Sequence, residues 1–140
     1  MDKNVKTDLK KEYLSKYLNY SRKEKELNEE IRQIRLSKMN PAFSADGMPK
    51  GSNITDLSDY AAILDEKERE RDEIICQKNK YYKDLKERIN LLEDEDEKQI
   101  MISKYLFGLR WNVICNGMNK ESRKVFRIHG QALKNFRMEI

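Results

Sequence analysis

Residues 109–140 read LRWNVICNGMNKESRKVFRIHGQALKNFRMEI, and this stretch decides the fold of the C-terminal part of the chain. A short apolar run near Trp111 to Cys115 predicts a helix, and the Asn-Gly-Met-Asn sequence at 116–119 predicts a turn. A longer helix is predicted from about Glu121 to Arg137, because apolar residues recur on one helical face. That face consists of Val125, Ile128, Ala132, Leu133 and Phe136. The stretch therefore predicts a helix-turn-helix.

The other faces of the last predicted helix are basic and polar. They carry Arg123, Lys124, Arg127, Gln131 and Lys134. Such a helix suits the major groove of DNA, where arginine can bind guanine with two hydrogen bonds and lysine can neutralise phosphates. The short helix before it would brace it across the DNA backbone. The same charges also fit an ordinary basic amphipathic helix packed on a small bundle, so the residues alone leave both interpretations open.

Charge is distributed unevenly along the chain. Residues 1–108 hold 22 basic and 23 acidic residues, a net charge of −1, whereas residues 109–140 hold 7 basic and 2 acidic residues, a net charge of +5. A polyanion would therefore be attracted to the last quarter of the chain.

The composition favours an all-α protein with one domain, or one small domain plus an appendage. Of the 140 residues, 38% are hydrophobic and 39% are charged, with only 5 glycines and 2 prolines, which is typical of long helices. The two cysteines, Cys76 and Cys115, lie outside any metal-ligand motif. A phosphate-binding glycine loop and an activated nucleophile are also missing, so we expect neither an enzyme nor a cofactor. Without a leader or an apolar span, a cytoplasmic protein is expected.

The first 91 residues predict a helical hairpin. Apolar residues recur at helical spacing from about Leu9 to Met39, and a second stripe runs from Leu57 to Leu92. Segment 40–55 holds both prolines and predicts a loop, after which Thr55 or Asp56 caps the second helix. Charged residues interrupt the two stripes, and a seam broken in this way predicts that the hairpin also pairs with a second copy as a homodimer. These residues are Glu24, Lys38, Lys67, Arg71 and Lys78.

Three smaller features complete the local predictions. The acidic run at 93–97 predicts a helix N-terminus, with a partner-binding acidic patch as the alternative, and Gly108 is expected to end that helix. His129 is predicted to pack or form hydrogen bonds rather than act in catalysis, since no catalytic constellation accompanies it. Gly130 inside a helix costs roughly 1 kcal/mol relative to alanine, which predicts a close approach of another helix at that position.

From about Leu92 to Phe136 the chain resembles sigma-factor region 4. The shared pattern is an apolar helix, a glycine, a short helix ending in a small residue, and a recognition helix ending in Ala-Leu. The matching residues are Ile100, Tyr105, Gly108, Leu109, Trp111, Ile114, Cys115, Met118, Val125, Ile128, Ala132 and Leu133. More particularly, GLRWNVIC and VFRIHGQAL are similar to phage and prophage regulators of the ArpU/RinA-like kind, as is GMPKGSNITDLSDYAAILD at 47–65.

The resemblance implies a sequence-specific, DNA-binding transcriptional regulator of phage or prophage genes. Residues 1–91 would form the oligomerising hairpin with its loop at 40–55, and residues 92–140 the domain that binds double-stranded DNA. It implies base-edge contacts from Ser122, Arg123 and Arg127, and backbone contacts from Arg110, Asn112 and Lys124, with Lys120 as a weaker candidate. Sigma region 4 touches RNA polymerase, so polymerase is a candidate partner as well.

Two departures from the resemblance concern the helix caps. Arg110 and Glu121 stand where region 4 often has serine or threonine, so both side-chain caps are altered, and Asn119 is an alternative cap for the last helix. Two other functions remain open. One is a DNA-packaging accessory like a small terminase subunit, and the other is a coiled-coil adaptor that binds no DNA and uses its tyrosines as interface residues.

Overall fold

A computed structural model describes residues 2–39 and 57–139, and this part of the chain is all-α, as predicted. Helix α1 spans Asp2–Met39 and α2 spans Leu57–Asn90. Helix α3, Glu95–Met101, continues into a wider π-helical turn, Ile102–Leu106. Helices α4, Trp111–Met118, and α5, Ser122–Asn135, form the predicted helix-turn-helix. The predicted loop at 40–55 and the capping candidates Thr55 and Asp56 lie outside the described residues.

The chain divides into two compact units that the sequence did not predict. One unit comprises residues up to Asn19 together with those from Lys78 onward, and the other comprises Tyr20–Gln77. Residues 1–19 and 78–91, which the sequence analysis assigns to the hairpin, thus belong to the same unit as the helix-turn-helix.

Within the unit Tyr20–Gln77, the predicted pairing of α1 with α2 is present and includes charged residues. Ile31 of α1 is buried. Across the pair, the guanidinium of Arg35 lies 2.6 Å from Glu68, and the Lys67 ammonium lies 2.9 Å from Glu30. Because exposed ion pairs each contribute only about 0–1 kcal/mol, they fix which residues face each other more than they stabilise the pair.

Within the other unit, α1 and α2 share a core with the C-terminal helices. Leu14 of α1 and Ile89 of α2 are completely buried. The buried core residues are Leu14, Leu85, Ile89, Leu92, Met101, Tyr105, Leu106, Ala132, Leu133 and Phe136. The predicted boundary between residues 91 and 92 therefore falls inside a continuous hydrophobic core.

Side chains from α1 and α2 also bind backbone carbonyl groups at the C-terminal end of α5 and just beyond it. The Lys10 ammonium donates to the carbonyl oxygen of Leu133 at 2.7 Å, and Arg88 donates to the carbonyl oxygen of Arg137 at 3.0 Å. The last carbonyl groups of a helix have no intrahelical donors. Lys10 thus supplies part of the polar cap that α5 needs, whereas Arg88 binds the segment that follows the helix.

The acidic run begins a helix, as predicted. The Asp94 carboxylate accepts hydrogen bonds from the backbone N–H groups of Asp96 and Glu97, at 2.7 and 3.2 Å. Asp94 is therefore the N-cap of α3.

The end of the π-helical turn is also as predicted. Gly108 has a φ of +66°, and the N–H of Leu109 donates to the carbonyl oxygen of Ser103 at 3.0 Å. This is the left-handed helix ending that glycine favours. A side chain at Gly108 would also meet Leu18, whose Cδ2 lies 3.3 Å from the position of an added Cβ.

Candidate nucleic-acid interface

A tight turn separates α4 from α5. Asn119 adopts the left-handed conformation, with φ 57° and ψ 44°, and the N–H of Lys120 donates to the carbonyl oxygen of Cys115 at 3.1 Å. Asparagine tolerates this conformation better than most residues. The alternative prediction that Asn119 caps α5 is wrong, because Asn119 terminates α4 and α5 begins later, at Ser122.

The two helices begin without side-chain caps. Arg110 and Glu121 occupy the N-cap positions of α4 and α5, and neither side chain hydrogen-bonds to the first turn of its helix. The prediction that both caps are altered is confirmed.

The apolar face of α5 orients the helix as the sequence predicts. Val125, Ala132, Leu133 and Phe136 are buried, and Ile128 is half-buried. Val125 forms a small core with Ile100 of α3 and Ile114 of α4. Burial of this face turns the opposite side of α5 to solvent.

Six of the seven predicted DNA-binding residues are exposed. They are Arg110, Asn112, Ser122, Arg123, Lys124 and Arg127. Within the described part of the chain, the four cationic side chains of this group form no hydrogen bond or ion pair. Their charges are therefore available to an external anion such as a phosphate.

Lys120, the seventh predicted residue, differs from the others. It is half-buried, and its ammonium lies 3.7 Å from the Asp96 carboxylate. An internal partner reduces the charge that Lys120 presents to solvent. The structure thus separates it from the exposed cations of α4 and α5.

The exposed cations of α5 form a ridge. At about 100° of rotation per residue, Arg123, Arg127, Gly130 and Lys134 lie within about 60° of one another around the helix. Lys124 lies about 100° from Arg123. Arg123 and Arg127 therefore project together, and Lys124 points to the side.

Gly130 interrupts this ridge. An added Cβ at Gly130 would have no atom within 4 Å, and the residue is exposed. The prediction of a close helix approach at Gly130 is therefore wrong, and packing within the described residues does not require a glycine here.

An aromatic cluster lies beside the ridge and contains Trp111, Phe126 and His129. The ring of Trp111 meets His129 edge-to-face at 4.8 Å between centroids, and it meets Phe126 in the same way at 5.1 Å. The Tyr105 hydroxyl and the His129 Nε2 share a hydrogen bond of 2.8 Å. The prediction that His129 packs and forms a hydrogen bond is confirmed.

The same surroundings determine the charge of His129. Burial, and then the nearby charges of Lys11 and Lys104, lower its pKa to about 4. Burial also raises the pKa of Tyr105 to about 12. At neutral pH the hydrogen-bonded pair of Tyr105 and His129 is therefore uncharged.

One contact that positions α5 has no local sequence signal. The Glu97 carboxylate is buried with only 4% of the residue exposed, and it accepts hydrogen bonds from the Asn135 amide at 3.1 and 3.3 Å. In the sequence, Glu97 is one of five consecutive acidic residues. Its special role depends on a partner 38 residues away, which no short-range pattern reveals.

Among the helices of the described ranges, none combines the length and the apolar character that a membrane span requires. The same ranges hold no cluster of three or more His, Cys, Asp or Glu side chains arranged for a metal ion. No protein-family model matches the chain, and neither a curated protein nor a solved structure matches it significantly.

Proposed function

We propose that this chain is a sequence-specific, DNA-binding transcriptional regulator of phage or prophage genes, acting in the cytoplasm by binding rather than catalysis. In this proposal α5 enters the major groove of double-stranded DNA. The observation that carries it is the face of α5 that presents Arg123, Lys124 and Arg127, exposed and without an internal partner, opposite a buried apolar face. A short helix precedes α5, as in helix-turn-helix readers.

The proposed contacts follow from the directions in which the side chains project from α5. Arg123 and Arg127 project along one line and would reach base edges, with Ser122 at the first turn. Lys124, at the side, and Arg110 and Asn112, on α4, would contact the DNA backbone. Lys120 is expected to contribute least, because Asp96 already engages it.

We further propose a homodimer formed through the helical hairpin, with RNA polymerase as a second partner. A dimer would present two copies of α5 to two half-sites on the DNA, which raises affinity without new contacts. The mass in solution, measured by sedimentation, distinguishes this from the ring of many copies expected of a packaging accessory. An adaptor that binds no DNA at any salt concentration would contradict the proposal altogether.

The central test replaces Arg127 and Lys124 separately by alanine. A preferred duplex is first selected from random sequences with the full-length protein. Arg127→Ala should then weaken that duplex by about 1–3 kcal/mol and relax discrimination against scrambled DNA. Lys124→Ala should weaken both duplexes alike and lower the salt slope by about 1.

A matched control is Arg69→Ala. Arg69 has 80% of its side chain exposed and lies in α2, where it forms an ion pair with Asp65 at 3.0 Å. The Arg69→Ala variant loses the same charge as the Arg127→Ala variant. An equal loss of DNA affinity in both variants would therefore mean that net charge, and not α5, governs binding. If Arg127→Ala weakens preferred and scrambled duplexes equally, α5 is only an electrostatic anchor.

A further inference from the structure

An aromatic side chain borders the basic ridge of α5. Phe126 is 48% exposed, although its ring also packs against Trp111. It lies about 60° around the helix from Arg123 and one turn before Gly130. The contact with Trp111 restrains the ring, and about half of Phe126 remains exposed beside Arg123 and Gly130, on the flank of the ridge about 100° away from Arg127.

Gly130, which has no side chain, lies one helical turn after Phe126. Around Gly130 the helix backbone is uncovered, because an added Cβ would have no neighbour within 4 Å. A glycine within a helix is destabilising compared with alanine. Since no internal contact offsets that cost among the described residues, the absence of a side chain is best explained by something that approaches from outside.

We infer that this face of α5 reads thymine, with Phe126 in contact with the C5-methyl group of a thymine and Gly130 giving the duplex room to approach the helix backbone. The inference rests on the proposed function. The methyl group of thymine is the one apolar feature that a base pair displays in the major groove, and phenylalanine is among the side chains that contact it. Lys124 and Arg110, which are proposed to contact the DNA backbone, supply the charge complementarity to the phosphates.

The expected changes in DNA affinity can be estimated from the removal or addition of a single methyl group. Removing a buried methyl group should weaken binding about fourfold. Adding a methyl group at Gly130 in a closely packed interface should weaken binding about tenfold or more. The same change should raise the melting temperature of the protein by about 3 °C, because alanine favours the helix.

The test uses full-length protein and a duplex selected from random sequences. Each thymine of that duplex is replaced in turn by deoxyuridine, which lacks the methyl group but pairs in the same way. The wild type should lose about fourfold in affinity at one thymine, and Phe126→Ala should bind the thymine and uracil duplexes equally.

Gly130→Ala is tested beside Gly117→Ala. Gly117 is the other exposed helical glycine near the site, and it too has open space around an added Cβ. Both variants should melt at a higher temperature, but only Gly130→Ala should bind DNA more weakly.

The outcomes are distinguishable. If a selected duplex binds tightly and depends on Arg127, but no uracil substitution changes its affinity, the thymine contact is refuted while the proposed function stands. If Gly130→Ala binds the selected duplex as tightly as the wild type, the close approach of the duplex to the backbone at Gly130 is refuted, while the proposed function stands. If no duplex is preferred at all, both the inference and the proposed function fail.

Discussion

Leu14 provides a direct test of how the helix-turn-helix is held in the fold. It lies in the N-terminal part of α1, is completely buried, and belongs to the core that includes Leu133 and Phe136 of α5. Replacement by alanine removes the packed side chain and leaves a cavity, at a cost of about 2–5 kcal/mol. Since small proteins unfold with only about 5–15 kcal/mol, this single change should remove a large part of the stability of the unit.

The matched control is Leu9→Ala. Leu9 lies in the same helix but is 54% exposed, so its truncation should change the free energy of unfolding by no more than about 0.5 kcal/mol. Urea unfolding can be followed by two signals. Far-ultraviolet circular dichroism reports on all helices, whereas Trp111, the single tryptophan, reports on α4 and its contact with α5.

In the Leu14→Ala variant, both signals should shift to a lower urea concentration together. That result would show that residues 1–19 and the helix-turn-helix unfold as one cooperative unit. If the Trp111 transition keeps its wild-type midpoint while the circular dichroism transition shifts, the reasoning is refuted. Residues 92–140 would then form the independent domain that the sequence alone predicts.

Two further predictions concern the elements around α5. Asp94→Ala removes the N-cap of α3 and should lower the free energy of unfolding by about 0.5–2 kcal/mol. Glu93→Ala, at the exposed neighbouring residue, should leave it nearly unchanged. Equal melting temperatures of the two variants would contradict the capping role of Asp94. His129 has a pKa of about 4 in the folded chain, against the ordinary 6.5. Because its pKa is lowered by folding, the unfolded state takes up the proton first, and stability should fall as the pH drops from about 6.5 to about 4. His129→Gln should lose less stability between pH 7 and pH 5, measured as the shift in urea midpoint, and an equal loss in both proteins would argue against a buried neutral imidazole.

The sequence predicted those features that depend on neighbouring residues. The apolar face of α5, the helix start in the acidic run and the helix end at Gly108 all follow from patterns within a few turns of chain. Each has a local physical cause, namely burial of one helical face, the macrodipole with its cap, and the left-handed conformation that glycine tolerates. The structure confirms all three.

The features that sequence analysis missed depend on distant partners or on competition between neighbours. Leu14 was not assigned to the core, because the tyrosines beside it define an equally good helical stripe. Glu97 could not be separated from the other acids without Asn135. Asparagine is common both at the end of one helix and at the start of the next. The sequence therefore could not show that Asn119 ends α4 instead of capping α5. Gly130 shows that a glycine in a helix does not by itself indicate internal packing.

The contacts that hold α5 are concentrated toward its C-terminal half. Asn135 bonds to Glu97, Lys10 binds the carbonyl of Leu133, and the large shared core meets the helix from Ala132 onward. The first turns are held mainly by Val125 and the small core around it. A recognition element must be rigid where it is anchored and accessible where it reads. This asymmetry leaves the turns that carry Arg123 and Arg127 as the accessible end. The proposed function therefore predicts that Leu14→Ala weakens DNA binding, although Leu14 would touch no DNA, because the change loosens the core that anchors α5.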